Sequence, residues 1–79
     1  MFKALVIDIK MATIIREEMV SLAILPSEEG EIAILDFHQP LIACLTEGWV
    51  RLGEEFTLKI DRGLARVKGN KLVVLVEKK

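Results

Sequence analysis

An all-β domain, a sandwich or barrel of short strands, is what this sequence predicts. Two patterns carry the prediction. Short runs rich in Val, Ile, Leu and Phe recur along the whole 79-residue chain. Turn signals separate them at intervals of about 8–12 residues, the spacing of sandwich and barrel strands. One stretch, Phe56 to Ile60, also alternates strictly, with Phe56, Leu58 and Ile60 on one side and Thr57 and Lys59 on the other.

Taken in order, Phe2 to Ile9 is the first strand. Phe2, Ala4 and Val6 line one side, and Leu5, Ile7 and Ile9 line the other. A strand apolar on both faces is covered twice. Met11-Ala12 is a turn, and Thr13-Ile14-Ile15 a second short strand. The polar Arg16-Glu17-Glu18 joins it to the next strand or begins that strand. A helix over Lys10 to Val20 competes there, because Ala, Met, Arg and Glu favour one. The β-branched Ile14 and Ile15 and the flanking strand signals favour strand.

Met19 to Leu25 is a strand stopped by Pro26. Ser27 to Glu31 is a tight acidic turn, in which Gly30 supplies an unusual backbone angle. Ile32 to Leu35 is a short strand. A loop then carries His38 and ends at Pro40. Leu41 to Leu45 is apolar on both faces, like the first strand, and Gly48 closes it. Trp49 to Leu52 follows, then a short hairpin loop at Gly53-Glu54-Glu55. Asp61-Arg62-Gly63 reads as a turn, Leu64 to Lys68 as a strand, Gly69-Asn70 as a two-residue turn, and Lys71 to Glu77 as the last strand.

The length predicts a single domain with a small core. Yet 52% of the residues are hydrophobic. That surplus has two readings: an apolar face that another protein covers, or a well-filled core with ordinary exposure. The formal net charge is −1, from 11 basic and 12 acidic residues. With no dominant sign and scattered cations, the chain lacks the electrostatic footprint of a nucleic-acid binder or of a basic membrane-surface helix. No apolar run approaches the roughly 20 residues of a spanning helix, so no direct membrane insertion is expected.

Catalytic groupings are not visible. The one His, the one Cys, and Ser21 and Ser27 form no nucleophile–base pattern. Zinc needs several His, Cys or carboxylate ligands. The glycines match no phosphate-binding loop, and the acidic turn lacks the alternating Asp/Asn pattern of a calcium loop. Neither metal nor cofactor is expected. Cys44 reads as a small buried hydrophobe in a reduced compartment. His38 has no local nucleophile or base to work with. What remains is a shaped backbone with an acidic tip and an apolar flank, the profile of a docking surface.

The central stretch resembles a known family. Leu25-Pro26, Glu29-Gly30-Glu31, Ile34-Leu35, His38-x-Pro40-Leu41, Leu45 and Gly48 are similar to the epsilon subunit of the rotary F-type ATP synthase. Phe56, Gly63, and Asn70-Lys71 before Val73-Val74-Leu75 agree with it, so the likeness runs from Phe2 to Glu77. The resemblance implies an about ten-stranded β-sandwich of two antiparallel sheets, spanning residues 1–79 as that subunit's N-terminal domain. It implies a non-catalytic place in the central stalk, coupling proton flow to ATP synthesis on the cytoplasmic side of the bacterial inner membrane.

The expected partners are the gamma subunit and the ring of c subunits, with the delta, alpha and beta subunits of the catalytic head as further candidates. Phe37, His38, Leu41, Ala43 and Leu45 would face gamma. Glu28, Glu29 and Glu31 would face the c ring. The sequence departs from the family at Asp36-Phe37, where Pro-Gly is usual, and at Asp61-Arg62-Gly63, where Ser-Gly-Gly is usual. The family's C-terminal helical hairpin is expected to be absent, the sequence ending where it would start. A carrier domain of the biotinyl or lipoyl type is the competing reading. Lys10-Met11 hints at it, although a carrier lysine belongs at a hairpin tip near mid-chain.

Overall fold

A computed structural model describes residues 1–36 and 39–79. It contains eight strands and, among the described residues, no helix. They are β1 (Phe2–Asp8), β2 (Thr13–Val20), β3 (Leu22–Ser27), β4 (Gly30–Leu35), β5 (Leu41–Leu45), β6 (Gly48–Leu52), β7 (Phe56–Lys68) and β8 (Lys71–Lys78). The hydrogen-bonded order is β2-β1-β8-β7-β5-β3-β4, with β6 paired to β3 and β7.

β7 ties the two layers together. Its first half, Phe56 to Ile60, pairs with β6, and its second half, Gly63 to Val67, pairs with β5. Its other edge runs along β8, with a register shift between Ile60 and Arg62. The layer of β4, β3, β6 and early β7 thus faces the layer of β2, β1, β8, late β7 and β5. Side chains alternate along a strand, so one side of each layer fills the space between them. Phe2, Ala4, Val6, Ala65, Val67, Leu72, Val74 and Val76 enter from one layer. Ala23, Leu25, Ile34, Val50, Leu52 and Ile60 enter from the other. Each buried aliphatic side chain of the Leu or Ile class contributes about 1.5–3 kcal/mol.

The expected all-β sandwich is present, with differences in detail. Asp61-Arg62-Gly63 is no turn. The chain continues through it as one strand, with the register shift against β8 at this point, so two expected strands are merged. The described residues form eight strands where about ten were expected. Gly63 is required by close approach: a Cβ built there would lie 2.5 Å from the Leu75 carbonyl oxygen. Residues 13–20 likewise form one strand. Pro26 does not stop β3. It pairs with Glu31 inside the strand, and its carbonyl accepts a hydrogen bond from the Thr46 N–H at 3.1 Å. The sheets are also not wholly antiparallel. β1 lies parallel to β8, a pairing that needs a long connection and here uses most of the chain.

The β1–β2 turn is built by a buried acid. Asp8, 4% exposed, accepts hydrogen bonds from the backbone N–H groups of Lys10 at 3.0 Å and Met11 at 3.3 Å. Lys78 Nζ lies 3.6 Å from its other oxygen. The turn drives Ala12 to φ 53°, a region that L-residues with a Cβ rarely occupy.

Candidate functional site

β1 and β5, the strands whose sequences are apolar on both faces, lie in the same layer. Their outward residues are joined by those of β8 and β7. Register places Ile14, Ile7, Leu75, Leu64 and Cys44 in one row across β2, β1, β8, β7 and β5. The next row reads Glu17, Leu5, Val73, Arg66, Ile42. Leu5, Ile7, Val73 and Leu75 are half-buried by their neighbours, whereas Ile14 is 61% exposed and Ile42 70%. The result is one apolar outer face crossing that layer.

On β5 the alternation is decisive. Leu45 is in the core, and Leu41 and Ala43 pack against it. Ile42 and Cys44 point outward. Of the residues expected to face gamma, Leu41, Ala43 and Leu45 therefore lie on the core side of the strand, and the outer surface belongs to the residues between them. Phe37 and His38 lie outside the described residues. Cys44 is exposed, contrary to its reading as a buried hydrophobe, because core contact on β5 falls on the odd-numbered positions.

The acidic turn closes with the Ser27 hydroxyl donating to the Gly30 carbonyl at 2.6 Å. Its tip leans over β5: a hollow of about 310 Å³ is lined by Ser27, Glu28, Glu29, Ile32 and residues 41–44. Glu28 and Glu29 thus flank the outward end of β5. Glu31 does not join them. It pairs with Pro26 and is exposed on β4.

On the far side of Ile42 lies a second hollow, of about 460 Å³, lined by Pro40, Leu41, Ile42, Arg66, Val67 and Lys68. Ile42 therefore stands between an acidic rim and a basic one. At the opposite edge of this layer, Glu17 receives Lys3 Nζ at 2.8 Å. That hydrogen bond, and then the charge of Lys3, hold its pKa below the usual carboxylate range.

The other layer has an apolar outer side as well. Leu35, 56% exposed, pairs with Leu22, and Trp49, 55% exposed, pairs with Lys59. Lys59 Nζ sits 5.4 Å from the centre of the Trp49 ring. Sequence reasoning did not single out this side. Nor did it pick Leu64, Val73 and Leu75 as outward residues, although the Leu72–Val76 run is as apolar on both faces as β1. Lys10, the candidate carrier lysine, lies in the β1–β2 turn, 3.6 Å from a Glu77 carboxylate oxygen. Among the described residues no cluster of His, Cys, Asp or Glu is arranged to hold a metal.

Residues 6–79 match the family model of the ATP synthase delta/epsilon chain, beta-sandwich domain. An ATP synthase epsilon chain from Carboxydothermus hydrogenoformans is 42% identical over 65 residues, covering 78% of this chain and 48% of that relative. Another, from Magnetococcus marinus, is 31% identical over 78 residues, covering 91% of this chain and 57% of the relative. The chain thus spans about half the length of the curated relatives it matches. A chain in a cryo-EM structure of the Tetrahymena thermophila mitochondrial ATP synthase central stalk and c ring superposes with a TM-score of 0.73. That match covers 96% of this chain and 63% of the other at 13% identity, a likeness of fold.

Proposed function

The chain belongs to the family of ATP synthase delta/epsilon chains through their beta-sandwich domain, and we propose that it is a non-catalytic part of the rotor's central stalk. In this reading it docks on the gamma subunit and on the c ring, and helps to couple proton flow to ATP synthesis at the cytoplasmic face of a bacterial membrane. Residues 1–79 act as one β-sandwich module, with no cofactor of its own.

One observation carries the reading: the continuous apolar outer face over β2, β1, β8, β7 and β5. A domain this small gains nothing by showing Ile14 and Leu64, in one row of this face, and Ile42, in the next, to water. A protein partner that covers the patch removes them from solvent, and a buried apolar centre supplies most of an interface's energy. Gamma is the partner assigned to this face. Glu28 and Glu29, at the rim beside β5, and Glu31, further along β4, are assigned to the c ring.

The experiment is binding of the purified gamma subunit to the wild-type chain and to the Ile42→Asp and Trp49→Asp variants, with thermal melting beside each. Ile42→Asp should lower affinity at least about thirtyfold, some 2 kcal/mol, at an unchanged melting temperature. Trp49→Asp, on the other outer side, should bind as wild type. Undiminished affinity for Ile42→Asp would reject the assigned face.

A further inference from the structure

The chain holds eleven Lys and Arg residues, and eight of them are neutralised or engaged within the fold. Lys3 pairs with Glu17, Lys10 and Arg62 with Glu77, Arg16 with Glu18, Lys78 with Asp8, and Lys79 with Glu47. Arg51 Nε donates to the Gly53 carbonyl at 3.0 Å, and Lys59 lies over Trp49. Arg66, Lys68 and Lys71 are the exceptions: among the described residues none of them makes an ion pair or a hydrogen bond, and the charge of Lys71 adds only the last and smallest contribution to holding Glu17 below the usual carboxylate range.

These cations stand together. Lys68 and Lys71 are direct partners across the β7–β8 hairpin, and Arg66 faces Val73 in the adjoining pair of the same side. With Val67 and Leu72 buried between them in sequence, strand alternation turns all three cations to the outer face. They and Val73 line a shallow hollow of about 250 Å³. Like charges directly opposite on paired strands destabilise a hairpin, and no carboxylate of the described residues is spent on relieving this one by direct contact. The arrangement leaves positive charge available to something outside the chain.

The surroundings define that something. Arg66 lies between Ile42 and Val73 in its row, so an occupant must satisfy a guanidinium and cover aliphatic side chains at once. Glu28 and Glu29 stand just beyond Ile42, and the chain as a whole carries a net charge of −1. An extended polyanion would meet those carboxylates. A protein surface can place its own charges one by one.

We propose that Arg66, Lys68 and Lys71 are a carboxylate-recognising rim of the docking face, and that the partner meets them with acidic side chains set beside an apolar strip. The proposal rests on the reading that gamma covers this face and adds the charge that gamma must present there. Rim charges of this kind act on the association rate and on its salt dependence more than on the final affinity.

The test measures association of the purified gamma subunit with the intact chain at about 0.01 M and about 0.15 M salt, where the screening length falls from roughly 30 Å to 8 Å. Wild type should associate more slowly at the higher salt. The double variant Lys68→Glu/Lys71→Glu should associate about tenfold more slowly at low salt and lose the salt dependence. The Lys68→Arg/Lys71→Arg variant should retain both. All are exposed hairpin substitutions, and melting curves check that they fold.

A charge-reversed variant that binds gamma at the wild-type rate, with the wild-type salt dependence, overturns the rim while leaving the docking face standing. Loss of binding by neither this variant nor Ile42→Asp overturns the docking face itself. Vesicles of phosphatidylglycerol provide the second probe. Wild type should not bind them, and binding that the double variant loses would replace the protein partner with a lipid headgroup.

Discussion

The two outer sides of the sandwich expose similar side chains yet differ in how their charges are spent. On the β4-β3-β6 side, Trp49 and Leu35 are about as exposed as Ile14 on the other. There, however, Lys59 is folded over Trp49 and Arg51 is tied to the Gly53 carbonyl. On the β1-β8-β7-β5 side, Ile42 stands between the carboxylates of the acidic turn and the unpartnered cations of the β7–β8 hairpin. Exposed apolar area alone would not choose between the sides. The proposed docking face rests on the cluster of charge around Ile42, because charges left unpaired at a rim are what a partner can read. On the other side Glu31 alternates outward with Leu35 and stands apart from any such cluster.

The largest effect expected from testing this contrast comes from a single step along β5. Leu45→Asp should unfold the domain or cost several kcal/mol, since it drives a charge into the core. Cys44→Asp, one residue away and outward, should melt as wild type and weaken gamma binding by about 2 kcal/mol. Equal melting of the two variants would show that β5 does not alternate as described.

Next in size is Gly63→Ala, which strikes β7 where the strand begins its pairing with β5. Its new methyl would meet the Leu75 carbonyl at 2.5 Å, and a backbone group cannot swing aside. A loss of about 2 kcal/mol in a denaturant titration is expected. A variant as stable as wild type would mean that β7 and β8 lie further apart there.

A smaller effect is expected at the acidic turn. Glu31→Lys should leave the fold intact and reduce coupling between proton flow and ATP synthesis in membrane vesicles, at a contact worth about 0–1 kcal/mol. Because Glu31 is set apart from Glu28 and Glu29, the Glu28→Lys/Glu29→Lys double variant is the sharper comparison. Unchanged coupling in both variants would remove the turn from the c-ring surface.

The smallest effect is at Glu17, on the edge strand β2. Its carboxyl is held low by Lys3, so its contribution to stability is present above its unfolded pKa and fades as the pH falls through the lower, folded value. Lys3→Met should raise the Glu17 midpoint in an NMR titration, and an unmoved midpoint would show that the pair does not form in solution.

The sequence by itself determined the class of fold, the position of most turns, and the identity of the family. Those depend on local chemistry. Gly53, Gly69 and the Met11-Ala12 step mark turns because backbone angles there are unusual, and the β-branched runs mark strands because such side chains suit a pleated surface. The sequence also showed that the strands at Phe2 and Leu41 are apolar on both faces, and so that one side of each was left over once the core was filled.

Only the tertiary structure decided which side. Inward and outward on β5 differ by one residue of register, and a one-residue shift exchanges every side chain between core and surface. That is why Leu41, Ala43 and Leu45 looked like surface candidates in sequence, whereas Ile42 and Cys44 hold that place in the fold. Gly63 shows the same limit. A glycine that makes room for a neighbouring carbonyl and a glycine that makes a turn are the same letter, and only the approach of β8, from later in the chain, distinguishes them. The cation rim was hidden for this reason as well. Whether Arg66, Lys68 and Lys71 are paired depends on what crosses them from strands far away in sequence, and no local pattern carries that information.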